Sequence, residues 1–86
     1  MNTYPHIFSP GKIGGLTAKN RVKYAATETN FNTGDGYVTS REVAYMEAQA
    51  RGGAGIVPTQ GAYPDAKGEG KGFRGMMAIY DDRFVP

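Results

Sequence analysis

The chain has no cysteine. This excludes a disulfide framework and a thiolate metal site, and it leaves an oxidising compartment without support. Leucine is nearly absent too. Leu16 stands alone, and Leu, Ile, Val and Phe together number fourteen of 86 residues, below the share a self-sufficient core takes. A domain of this length hides only about 60–65% of the surface its unfolded chain exposes, so the expectation is a piece of a larger fold. Neither sign of charge dominates: ten basic and eight acidic side chains give +2, scattered along the chain, too little for a field that holds nucleic acid or for disorder by self-repulsion. No apolar run is long enough to cross a bilayer, and the opening "MNTYPHIFSP" has no signal-peptide apolar stretch. The expected setting is the cytoplasm, with neither membrane nor nucleic acid as partner. What the sequence has in quantity is glycine, thirteen residues beside five prolines, the composition of a chain with many turns.

In "KIGGLT", Gly14 and Gly15 separate Ile13 from Leu16, and a glycine pair supplies the positive φ angles of a two-residue hairpin. "RVKYAAT" alternates Val22, Tyr24 and Ala26 against Lys23, Ala25 and Thr27, predicting a first main strand. The Thr-, Asn-, Asp- and Gly-rich "TETNFNTGDGYV" reads as the loop at its C-terminal end. Thr39 then precedes Glu42 by three residues, a reciprocal capping box that starts a helix over about 40–51. Val43, Met46 and Ala50 share one face of that helix while Glu42 and Gln49 point elsewhere, and Gly52-Gly53 stops it. "AGIVPT" predicts a second, buried strand, with Pro58 near its end where one missing amide matters least. Strand, helix and strand make a βαβ unit, which belongs to a parallel sheet covered on both faces. A glycine-rich loop to about Gly75, a short apolar "MMAIY", and an acidic helix start at Asp81 and Asp82 follow.

"GKGFRG", residues 70–75, has the G-x-G-x-x-G spacing of a dinucleotide phosphate loop. That spacing has meaning only between a strand and a helix. The preceding "AYPDAKGE" holds Pro64, Asp65, Lys67 and Glu69 and delivers no buried strand, so the segment reads as a loop above the second strand.

Three blocks, "IFSPGKIGGLTAKNRVKYAATETNF", "GYVTSREVAYMEAQARGGAGIVPTQGAY" and "MMAIYDDRFVP", together resemble the start of the old yellow enzyme family, the NADH:flavin oxidoreductases. The resemblance covers nearly the whole chain. It implies an α/β fold, the start of a (β/α)8 TIM barrel: residues 1–86 would supply the N-terminal hairpin, strand 1, helix 1 and strand 2 of an FMN-binding barrel domain, ending before helix 2, since a full barrel takes about 250 residues. The members it looks most like are the larger enoate and 2,4-dienoyl-CoA reductase-like enzymes, which add an iron–sulfur cluster and an FAD domain downstream. The family takes hydride from NADH or NADPH onto FMN and passes it to an activated alkene or similar small-molecule acceptor. The implied partners are that acceptor and the remainder of the barrel, and a homo-oligomer is compatible with the complete protein.

Barrel enzymes work at the C-terminal ends of their strands, here Ala25 to Glu28 and Thr59 to Gly61. By resemblance, Ala26, Thr27 and Glu28 match the family's first-strand flavin contacts, and Gly61 matches the small second-strand contact beside the ring. Small residues there let a flat ring approach backbone. Two positions depart from the pattern. Ala26 stands where the family commonly has proline, and Glu28 where relatives place Thr, Cys, His or Gly near the pyrimidine edge of the ring. A carboxylate there opposes the charge of reduced flavin, so Glu28 is expected to face substrate or a basic partner from a later strand. No catalytic residue and no metal ligand is assigned, because substrate-polarising, proton-donating and phosphate-clamping groups come from later strands in this family; the 86 residues alone are expected to turn nothing over. His6 reads as a surface or capping residue, and Tyr4, Tyr24, Tyr45 and Tyr63 as packing area. The competing reading is a small RNA-binding module, because "KGFRGMMAI" begins like a Lys-Gly-Phe base-stacking segment. It weakens at once, with Arg74 and Met76 where glycine or alanine and an aromatic are wanted. An autonomous interaction domain suffers from the thin core.

Overall fold

The computed structural model describes residues 3–85. Its elements run β1 (Gly11–Ile13), β2 (Leu16–Ala18), α1 (Ser40–Arg51), β3 (Ala62–Tyr63), β4 (Met77–Ala78) and a 3₁₀ turn, Asp82–Phe84. The predicted hairpin is present: β1 and β2 pair antiparallel with Ile13 opposite Leu16, and Gly14 takes φ 57° at the turn. Helix α1 occupies the predicted span. Thr39 Oγ1 caps it by accepting from the Glu42 amide at 3.2 Å, and the left-handed residue that ends it is Gly53, at φ 114°.

The two main strands run parallel and side by side, but as a single bridge between Lys23 and Ile56 instead of ladders. Val22 O accepts from the Gly55 and Ile56 amides at 2.9 and 3.2 Å, and the Tyr24 amide donates to Ile56 O at 2.9 Å. In a parallel ladder the next rung would run from residue 58 to Tyr24 O. Pro58 has no N–H, so the ladder stops there, and the expectation that the missing amide matters least is corrected. The segment after Gly61 is likewise not all loop: Ala62 and Tyr63 form β3 and pair parallel with Met77 and Ala78 of β4. Strands of two residues carry no periodicity to detect.

The chain is open, with a radius of gyration of 15.7 Å against about 12 Å for a compact domain of this length. Among the described residues the only buried apolar side chains are Tyr63 and Ala78. They close over Gly36, whose φ of 99° and contacts leave no room for a side chain: a Cβ there would lie 2.5 Å from Ala78 Cβ and 2.7 Å from the Tyr63 hydroxyl. Burial raises the Tyr63 phenol above its ordinary pKa.

Helix α1 is turned differently from the sequence expectation. Val43 is 54% exposed and Glu42 only 4%. The reason lies in the aromatics: Tyr45 packs edge-on against Tyr24 and Phe31, with centroids 6.3 and 5.9 Å away, and this swings the first turn so that Glu42 faces inward. The Tyr24 and Tyr45 hydroxyls are hydrogen-bonded, a contact that raises the Tyr45 pKa. Val43, Met46 and Ala50 line an open groove with Val38, Val57 and Met77.

Candidate functional site

The two strands end beside one another on one side of the bridge. Ala25, Ala26, Thr27 and Glu28 are all exposed, as is Gly61 at the second tip. The Thr27 hydroxyl donates to Ala25 O at 2.9 Å. No hydrogen bond engages the amides of Ala26 and Thr27 among the described residues, so this edge presents free donors over methyl-sized side chains. Glu28 closes the gap between tips: its Oε1 accepts from the Gly61 amide at 2.8 Å, across 33 residues of sequence. Glycine is needed for that approach, because a Cβ on residue 61 would sit 2.7 Å from Glu28 Oε1 and 3.4 Å from Met76 Cε. The expected partner of Glu28, a substrate or a cation, is thus replaced within this chain by a backbone amide.

Beneath this exposed pair lies a buried one. Thr29 donates its hydroxyl to Glu42 Oε2, and its oxygen accepts from Gln60 Nε2 at 3.1 Å and from the Phe31 amide at 3.2 Å. The reciprocal half of the expected capping box is therefore not made: the Glu42 carboxylate is spent on Thr29, not on the Thr39 amide. Thr39 still joins the arrangement, donating to Phe31 O at 2.7 Å, so the cap of α1 and the loop after the first strand share their bonds. Gln60 is 3% exposed, and its Oε1 is buried without a partner, as are both polar atoms of the Asn32 side chain.

"GKGFRG" does not cradle anything. It has no strand before it or helix after it, and its amides are committed to the chain itself: Gly75 N–H to Asn30 Oδ1 at 2.6 Å and Gly72 N–H to Met76 Sδ at 3.2 Å. Phe73 lies in this turn region and not on a sheet, so it offers no base-stacking platform. His6 and Tyr4 are exposed. Asp81 caps the 3₁₀ turn by accepting from the Arg83 amide at 2.9 Å.

Residues 6–86 match the NADH:flavin oxidoreductase / NADH oxidase family. The chain belongs to this family. Its relatives include the NADH oxidase of Thermoanaerobacter brockii, 33% identical over 99% of this chain and 13% of the relative, and the metal reductase of Desulforamulus reducens, 35% identical over 93% and 11%. Among solved structures, a 2-naphthoyl-CoA reductase in complex with 2-naphthoyl-CoA superposes with a TM-score of 0.89 at 42% identity, over 96% of this chain and 12% of that one. The chain therefore spans about an eighth of the length of these flavin oxidoreductases. Of the four residues expected at the cofactor, the fold puts Glu28 in direct contact with Gly61 and leaves Ala26 and Thr27 exposed on the same tip. Thr29, Gln60 and Glu42 were not singled out as a group. The one signal pointing to them is a glutamine closing an otherwise apolar strand.

Proposed function

We propose that residues 1–86 are the opening βαβ portion of an FMN-binding (β/α)8 barrel, and that Ala26, Thr27, Glu28 and Gly61 form the part of the flavin site this chain contributes. The observation that supports this most is the pairing of two exposed, small-residue tips from parallel segments, held by the Glu28–Gly61 bond. The residues fit the cofactor. Free Ala26 and Thr27 amides suit the carbonyl oxygens of an isoalloxazine ring, Gly61 and Ala26 let a flat group reach backbone, and Glu28 keeps Oε2 to accept from a ring N–H. When bound, FMN supplies the hydride chemistry between NADH and an electron acceptor. The protein's share at this end is to seat the ring, exclude bulky groups from its edge, and set the charge beside it through Glu28.

The acceptor class that best suits the reading is an unsaturated carbonyl compound, and the relative that binds 2-naphthoyl-CoA makes an aryl or enoyl thioester the first to try. The 86 residues alone hold FMN weakly and turn nothing over, since Val43, Met46 and Val57 line an uncovered groove and the apolar Ile13, Leu16 and Ile79 are exposed. In the described residues no helix is long and apolar enough to cross a membrane. The test is the full-length protein. It is expected to purify yellow, to bleach with NADH under nitrogen, and to recolour with 2-naphthoyl-CoA or an enoyl-CoA; a colourless protein that neither binds FMN nor oxidises NADH would overturn the reading.

A further inference from the structure

The backbone ladder between the two strands ends at Pro58, yet two and three residues later the tips are still in register. Two side-chain rungs replace it. Glu28 to Gly61 is the outer one, on the exposed side; Thr29 to Gln60 is the inner one, immediately adjacent in both segments and buried against α1. Successive residues of an extended segment face opposite sides, so the outer rung lies on the proposed flavin side and the inner rung behind it.

The inner rung has a fixed polarity. A threonine hydroxyl offers one proton and two lone pairs, and Thr29 uses all three: the proton goes to Glu42, and the lone pairs go to Gln60 and the Phe31 amide. Because Glu42 takes the proton, Gln60 can meet Thr29 only through its NH₂ group, and its amide cannot flip. That leaves Gln60 Oε1 buried without a donor, an arrangement that costs stability. A carboxylate buried with no cation against it is a further cost. A group of residues kept at such cost, directly behind a candidate site, is explained by geometry.

We infer that Thr29, Gln60 and Glu42 are positioning residues: they set the spacing of the two tips, and so place Glu28 and Gly61 against the FMN ring without touching it. This rests on the FMN reading above. The test uses the full-length protein and compares wild type with Gln60→Met, Thr29→Val and Thr29→Ser, reading FMN Kd, the visible flavin spectrum, the FMN midpoint potential and the Tm of the apoprotein. Gln60→Met breaks the rung and also removes the unpartnered oxygen, so its Tm should hold or rise while Kd increases roughly tenfold and the flavin band and potential move. Thr29→Val should give the same flavin changes at a lower Tm, and Thr29→Ser should match wild type. If Gln60→Met leaves Kd, spectrum and potential at wild-type values, or if Kd merely follows Tm across the set, the inference is overturned. Should Thr29→Val not fold, Gln60→Met decides alone. A wild type that binds no FMN refutes the cofactor reading itself, whereas FMN bound identically by all variants refutes only the positioning role.

Discussion

The β1–β2 hairpin and the paired tips at Glu28 and Gly61 solve the same problem, holding two segments side by side, at opposite ends of the scale of sequence separation. In the hairpin two residues separate the strands, and the turn alone sets the register, through Gly14 at φ 57°. At the tips 33 residues separate the partners, Pro58 has interrupted the backbone ladder, and register depends on side chains from three elements. Local pairing is therefore written in the turn residues, and distant pairing in polar side chains whose partners are far away in sequence. The second kind sits at the candidate site, where backbone must stay free for a ligand.

The sharpest way to break this contrast is at Gly36, which supports the distant β3–β4 pair. Gly36→Ala adds a positive-φ penalty to a clash with Ala78 and Tyr63, together about 3 kcal/mol. Hydrogen exchange in the full-length protein should show β3 and β4 opening roughly a hundredfold more often. The hairpin should lose less. Gly14→Ala meets nothing within 4 Å and pays only the left-handed penalty of about 1 kcal/mol, while Gly14→Asn should exchange almost as wild type.

Smaller still is the effect of Thr39→Ala, about 1 kcal/mol for a lost N-cap. Because Thr39 also bonds Phe31 O, that loss should loosen the loop after the first strand along with the first turn of α1, which exchange at both places would reveal. Pro58→Ala tests the interrupted ladder directly: the new amide can donate to Tyr24 O, and it should exchange slowly, with a stability change within about 1 kcal/mol. An unprotected amide at residue 58 would show that the strands diverge for another reason. The smallest effect concerns pH. The Thr33 hydroxyl bonded to Asp35 holds that carboxyl below its usual 3.8. A depressed carboxylate contributes stability above its unfolded pKa and loses it as pH falls through the folded one, so the Asp35 turn should loosen only below about pH 3.8. Thr33→Val should bring the Asp35 titration, followed by NMR, back toward 3.8.

Reading the residues in order gave much of the architecture because several signals are local. Gly14-Gly15 marks the hairpin, Thr39 and Gly53 bracket α1, and the alternation from Val22 to Thr27 indicates an extended segment. Three features escaped. The inward turn of Glu42 depends on Tyr45 stacking against Tyr24 and Phe31, partners in other elements. The β3–β4 pair is too short to carry a period. The inner rung joins Thr29, Gln60 and Glu42, each unremarkable in its own neighbourhood.

The order of elements, the parallel sense of the strands and membership of the flavin oxidoreductases were thus determined by sequence, since turn chemistry, caps and residue pattern act over a few positions. The tertiary structure alone decided what Glu28, Gln60 and Glu42 do. A polar side chain takes its role from whichever donor or acceptor the fold brings within about 3 Å, and that neighbour was dozens of residues away.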